Sequence, residues 1–260
     1  MDPIRRKLSP STTIAINIAG LVSFFLAWQI ASQHVDPHLL NSPMQVAVRL
    51  FTMMKEPFAG STIWGHVITS LGRFGAGFGL AALIGIPLGL TMGWSPILNG
   101  LMMPLFSILR YVAPIAWVPF AVLWFGTGIG GPILIIFSGA FSACVVGAFG
   151  GAKLTPPHLI EAARTLGVGN VRMIAEVLLP SALPSIVAAL RVAAGNAWQS
   201  MVGAELIVAS SGLAYIMVRG QMNRDVTTVT TGMLVIGLIG LAIEWVLRRV
   251  EARIDKRFSR

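Results

Sequence analysis

Few side chains in this sequence can do chemistry, because only 11% of the 260 residues are charged: 19 Lys and Arg against 10 Asp and Glu. The most informative is Glu205, which stands inside an apolar segment running from about Pro184 to Val208. An ionised carboxylate surrounded by hydrocarbon is expensive, so it must face protein or a water-filled cavity. Two readings stay open. It is part of a solute path or gate, or it is a buried carboxylate bonded to a neighbouring helix, with an arginine as partner. Asn196, Gln199 and Ser200 lie on the same segment, between Arg191 and Glu205. They either line a polar path or hydrogen-bond between helices. Arg73 and Arg110 stand beside apolar runs, where each could meet an anion or mark a membrane boundary. Trp117 and Trp124 either line a cavity or anchor at an interface.

Enzyme chemistry finds little support. His34, His38, His66 and His158 have no metal-ligand spacing, and no nucleophile stands with a base. The single cysteine, Cys144, permits no intrachain disulfide and no cysteine-based metal site. The chain has no GxxxxGK[ST] phosphate loop. No cofactor is expected.

The elements that must carry these residues are membrane spans. Hydrophobic residues make up 55% of the chain and mean hydropathy is +0.78, whereas a soluble domain is about 25% charged. Residues 8–35, 74–109, 111–152 and 226–243 contain no Asp, Glu, Lys or Arg, and a bilayer crossing needs about 20 mostly apolar residues. Six spans are predicted, near 14–31, 70–92, 105–125, 133–150, 184–208 and 226–247. The first is longer than the core of a secretory signal, which favours a retained span. Residues 33–64 read as an outside loop with a short surface helix near 43–54, and 209–225 as a second outside loop. Trp94 to Asn99 reads as a turn, and Pro114 and Pro119 should kink or break the third span. The net charge of +9 collects at the ends: Arg5, Arg6 and Lys7 at one, Arg248, Arg249, Arg253, Lys256, Arg257 and Arg260 at the other. Charge of this kind orients spans and keeps both ends cytoplasmic; it does not indicate nucleic-acid binding. Small residues recur every four positions, at Gly85, Gly89 and Gly93 and at Gly139, Ala143, Gly147 and Gly151. Such stripes let helix backbones approach closely in lipid.

Residues 153–180 are polar enough to leave the membrane. Thr155 suits a helix N-cap with Pro156 behind it, and Leu159, Ala162, Ala163 and Leu166 share one helical face. Gly167 and Gly169 should stop that helix. A second helix is predicted from Asn170, with Val171, Ile174, Ala175 and Leu178 on one face and Pro180 as its end. Two short amphipathic helices about a glycine hinge need cover, from the membrane interface or from a partner protein.

Glu161-Ala162-Ala163, Gly167 six residues after the glutamate, and Leu179-Pro180 resemble the EAA loop of binding-protein-dependent ABC-importer permeases. Pro114 through Pro119, Leu123 through Gly126, and Gly203-Ala-Glu205-Leu206 with Ser211-Gly-Leu213 are similar to the nitrate/sulfonate/taurine branch of that family. The resemblance covers about residues 60–250. It implies an all-α polytopic fold of the type I importer permease, a single transmembrane domain over 1–260, and a coupling loop at 153–180. In that loop Glu161, Ala162, Ala163, Arg164, Gly167, Leu179 and Pro180 would meet a cytoplasmic ATPase. The resemblance further implies a dimer with a second permease copy, a periplasmic or lipid-anchored substrate-binding protein, and a place in the bacterial inner membrane. The solute would be a small organic or inorganic anion. Trp117, Asn196, Gln199, Ser200 and Glu205 are the residues considered for the path. A secondary transporter driven by an ion gradient is the alternative, although no inverted second half is visible.

Overall fold

The computed structural model describes residues 9–36, 39–126 and 128–258. Arg5, Arg6, Lys7 and Arg260, which entered the topology reading, lie outside the described residues, as do His38 and the side chains of Asp255 and Arg257. The described residues are mainly helical, joined by short irregular links, and five helices are long and apolar enough to cross a membrane, with a bent pair making a sixth.

Helix α1 (Pro10–His34) is capped by Ser9, whose hydroxyl accepts from the Thr12 amide. Its apolar residues are exposed on all sides, as lipid-facing residues would be. Trp28 Nε1 ties it to the Asn41 carbonyl at 3.0 Å. Helix α2 (Pro43–Lys55) is the expected surface helix and opens with a reciprocal capping box. The Ser42 amide donates to Gln45 Oε1, and the Gln45 amide to Ser42 Oγ.

The core is a three-helix sandwich in which α6 (Gly130–Lys153) lies between α3 (Ile63–Trp94) and α9 (Leu179–Ile207). The two small-residue stripes explain the layering. A Cβ at Gly89 would strike the Val145 carbonyl and sit 2.8 Å from Ala148 Cβ; one at Gly85 would sit 2.9 Å from Cys144 Cβ. Both contacts lie on α6. From the other side, Gly147 meets Ala189, and Gly151 meets Ala182 and Ser185, all on α9. Backbones therefore touch across both interfaces, and dispersion contacts that larger side chains would prevent are made along their length. Helix α11 (Val226–Phe258) packs on α9, on α10 (Leu213–Met222) and on α2.

Between Trp94 and Phe125 the structure corrects the expected span. The turn shrinks to Ser95, whose hydroxyl caps α4 (Pro96–Leu109) by accepting from the Leu98 amide. The break falls at Arg110–Ala113, ahead of the prolines. A 3-10 turn (Pro114–Trp117) and α5 (Val118–Phe125) follow, bent from α4 by 91°. Ala113 precedes a proline and takes extended ψ of 140°, because the ring clashes with a helical predecessor. Pro119 sits in the first turn of α5, where its missing N–H costs nothing.

Three further expectations are corrected. Thr155 does not cap the loop helix α7 (Pro157–Thr165). Pro156 holds that place, and the Thr155 hydroxyl turns back to the Gly151 carbonyl at 3.4 Å. Pro180 does not end a helix either. A single turn α8 (Asn170–Arg172) widens into a π-helical segment, Met173–Leu178, that runs directly into α9. The wider turn relieves the proline ring of the carbonyl four residues earlier. It also shifts the facing: Met173 and Leu178 are buried, while Val171 and Ala175 are exposed. Finally, the stretch 209–225 is no plain loop, since it contains α10.

At the α10–α11 turn, Asp225 caps α11 by accepting from the Thr228 amide at 3.0 Å, and Arg49 of α2 reaches its other oxygen at 3.0 Å. Burial pushes the Asp225 carboxyl up, but its bonds to Thr228 and the Arg49 charge outweigh this and hold it below the usual carboxylate range.

Two measurements follow. Gly89→Ala should lower the unfolding temperature in detergent, by an overpacking cost of about 1–3 kcal/mol, whereas Gly79→Ala, with nothing within 4 Å of its Cβ, should be neutral or mildly stabilising. The depressed Asp225 pKa means that its contribution is present above its unfolded pKa of about 4 and is lost as pH falls through its folded value. Asp225→Asn should therefore cost about 1 kcal/mol at neutral pH, and the difference from wild type should shrink as the pH is taken below about 4.

Candidate functional site

The bent span leaves a cavity of about 370 Å³ on the flank of the three-helix core. Its rim is the irregular backbone from Arg110 to Ile115. Helix α6 contributes Ser138, Gly139 and Ser142, and helix α9 contributes Asn196, Gln199, Ser200 and Gly203. Non-helical backbone is tolerated at membrane depth only where protein or a water-filled cavity receives its polar groups. Arg110 closes α4, with its guanidinium 4.8 Å from the centre of the Tyr111 ring and Nη2 donating to the Tyr111 hydroxyl at 3.1 Å. The Ser138 hydroxyl donates to the Ile135 carbonyl at 2.8 Å and that of Ser200 to the Asn196 carbonyl at 2.7 Å.

Of the residues singled out from sequence, Asn196, Gln199 and Ser200 meet at this cavity and Arg110 joins them. Trp117 and Glu205 do not line it. Trp117 packs half-buried against Ala121, Ile135, Ala204 and Val208, and Trp124 is exposed. Nothing in the sequence singled out Ser138 and Ser142. Their spacing of four on an apolar helix, in step with Ile135 and Gly139, was the one signal that could have found them.

Glu205 belongs to a sealed polar cluster. It is fully buried and accepts from Ser70 Oγ at 2.8 and 2.9 Å, from Arg73 Nη1 at 3.0 Å and from the Ala214 amide at 3.1 Å. Arg73 also donates to the Ser211 carbonyl at 2.6 Å and to Ser211 Oγ at 2.8 Å. The Leu213 amide donates to Ser70 Oγ at 2.9 Å, and the Gly212 amide to His66 Nδ1 at 3.2 Å, while His66 Nε2 faces the Phe58 carbonyl at 3.0 Å. Three consecutive amides at the start of α10 thus find acceptors on His66, Ser70 and Glu205, as the orphan donors of a buried helix end require. Gly212 is at φ +115°, and a Cβ there would run into the Glu205 carboxylate. The geometry matches the buried, arginine-paired reading of Glu205. Ser70 was missed, His66 was weighed only as a metal ligand and Ser211 only as part of a family-like stretch, because each is ordinary until the fold brings them together.

At the other end of the bundle, α7 packs on the π-helical segment that follows it, and that segment in turn meets α3. Arg164 stacks its guanidinium on Trp94 at 5.4 Å, so it is not paired with Glu161, whose side chain is exposed with no partner among the described residues. Ala163 is buried, but Ala162, Leu159 and Leu166 on the same face are exposed, Leu166 by 83%. Gly167 ends the helix at φ +75°. Its amide donates to the Arg164 carbonyl, and that of Val168 to the Ala163 carbonyl. Leu179 and Pro180 are exposed at the start of α9.

Residues 85–260 match the model of the family described as "Binding-protein-dependent transport system inner membrane component". The chain is 34% identical to the taurine transport system permease protein of Escherichia coli over 96% of its own length and 91% of that protein. It is 29% identical to the bicarbonate transport system permease protein of Synechococcus elongatus, over 91% of each. Its fold superposes on a chain of the inward-facing MetNI methionine ABC transporter with a TM-score of 0.66 and 20% identity, covering 74% of this chain and 95% of that one.

The sealed cluster yields a double-mutant test. Removing either charge leaves the other buried, so Arg73→Met and Glu205→Gln should each destabilise the protein by about 3–5 kcal/mol. The double substitution should cost clearly less than the sum, by a coupling of about 1–3 kcal/mol. Thermal unfolding of the purified protein in detergent reads all three, and additive losses would contradict the pairing.

Proposed function

Because the chain belongs to the binding-protein-dependent transport system inner membrane component family, we propose that it forms half of a translocation path through which a small anion is imported, driven by ATP hydrolysed elsewhere. It is the multi-pass membrane permease of an ABC transporter. The path is the polar cavity beside the broken span, with Asn196, Gln199 and Ser200 on its wall. A second copy of the chain supplies the facing half, and a substrate-binding protein delivers the solute. The taurine and bicarbonate permeases among its relatives suggest the nitrate/sulfonate/taurine class of solute.

The observation that carries the reading is the face of α7 that the chain itself leaves uncovered. Leu159, Ala162 and Leu166 are exposed on a short helix stopped by Gly167 and held to the bundle through buried Ala163 and through Arg164 on Trp94 of α3. An apolar patch of this kind marks a docking site. Its proposed occupant is the ATPase, with residues 153–180 as the coupling loop: Glu161 at the contact, and Leu179 and Pro180 passing movement into α9 through the π-helical segment. Motion of α7 would then tilt α9, one wall of the cavity, between inward- and outward-open states. The basic residues Arg248, Arg249, Arg253 and Lys256 at the end of α11 suggest that both termini lie on the ATPase side.

Gly167 is the sensitive position. Space is not the limit there, since nothing lies within 4 Å of where a Cβ would stand; φ is. Gly167→Val should leave the spans inserted but cut ATPase co-purification and ATP-driven uptake in liposomes about tenfold or more, at a backbone cost of about 1–3 kcal/mol. Gly167→Asn, which tolerates this φ better, should keep most of both. Wild-type behaviour of Gly167→Val would remove the coupling role. Uptake by the chain alone under an ion gradient would replace the ABC mechanism with a secondary one.

A further inference from the structure

We infer that the cavity holds an anion-recognition site of the permease's own, in which Arg110 takes the charged oxygens of the solute and Ser142, Asn196 and Gln199 supply neutral donors around it. The assignment rests on the reading of this cavity as the solute path.

Charge comes first. Arg110 is the one charged group among the described residues lining the cavity, and no carboxylate faces it. Glu205, the acidic residue of α9 close in sequence, is turned away and committed to Arg73, Ser70 and the α10 amides. The cavity therefore carries an uncompensated positive field, which low-dielectric walls focus. The donors come next. The hydroxyl protons of Ser138 and Ser200 are directed to carbonyls of their own helices. The side chains of Ser142, Asn196 and Gln199 have no partner among the described residues and face the cavity. The guanidinium is steadied by Tyr111 through one nitrogen and its ring face, which leaves the rest of its donor fork for a bidentate oxygen pair. Size is the last term. About 370 Å³ is near the lower end of small-molecule pockets. Small solutes with a compact sulfonate, carboxylate or nitrate-like group fit these features, zwitterions included; cations do not.

The test uses a thiol placed at Ser142 in the full-length permease in liposomes. Cys144 is buried and is removed as Cys144→Ala, which keeps the Cβ that packs on Gly85. In Ser142→Cys, with each reagent's rate taken relative to its own rate with a small free thiol, a negatively charged sulfonatoethyl methanethiosulfonate should react about 10-fold or more faster than its trimethylammonium counterpart, the range expected for a focused field. Adding Arg110→Gln should bring the two rates to within about twofold, while Arg110→Lys should keep most of the preference. Equal rates, a preference that survives Arg110→Gln, or no reaction with either reagent would each overturn the site. ATP-driven anion uptake by the assembled transporter, measured in parallel, separates the two proposals. Uptake without charge preference sinks the site alone, and charge preference without ATP-driven uptake sinks the import function alone.

Discussion

Backbone amides and carbonyls cannot be left bare in hydrocarbon, and the two irregular stretches next to the core obey this in opposite ways. At Arg110–Ile115 the break opens onto a polar cavity. At the loop before α10 the break is sealed, with His66, Ser70, Arg73 and Glu205 receiving or supplying every hydrogen bond that three amides and a carbonyl require. One irregularity lines an open polar cavity. The other is buried and closed to everything, which explains how a carboxylate and a guanidinium can both sit in the core.

The three-helix sandwich makes this division possible. Glycine and alanine on the facing sides of α3, α6 and α9 bring backbones together, and dense packing leaves little room for polar groups between the helices except where they are hydrogen-bonded, as Arg73 is through both Nη atoms though not through Nε. On these two helices Ser138, Ser142, Asn196, Gln199 and Ser200 line the cavity and Glu205 joins the sealed cluster, while Arg191 leaves the sandwich to pair with Glu244 and Glu251 on α11. Gly139 serves both demands, since the α9 residue it lets approach is Ser200, on the cavity wall.

The far end of the bundle is built differently. Residues 153–180 hold to the core through Ala163, Met173 and Leu178 and through a cation–π contact, with the rest of the short helices exposed. Rigid core and lightly held loop share one continuous element, because the π-helical turn hands directly into α9. The loop is thus joined without a break to the helix that carries one wall of the cavity, while the sealed cluster holds the opposite end of the same helix.

Sequence alone determined the class, the approximate spans, the surface helix near 43–54 and the glycine stop at 167, because hydrophobic length, charge placement and φ preference are local properties. It also brought Asn196, Gln199 and Ser200 together, since one helix carries them all at helical spacing. It could not decide which way Glu205 points. On α9 Gly203 faces the cavity and Glu205, two residues on, faces the core, and only the partner helices settle what a carboxylate there will meet. The prolines did mark the break in the third span, since a proline restricts the residue before it, but the reach of the irregular stretch back to Arg110 and the 91° bend depend on a geometry the neighbours must accept. The joint role of His66, Ser70 and Ser211 was invisible for the same reason: a hydrogen bond across more than a hundred residues exists only once tertiary packing has brought its two ends to about three ångströms.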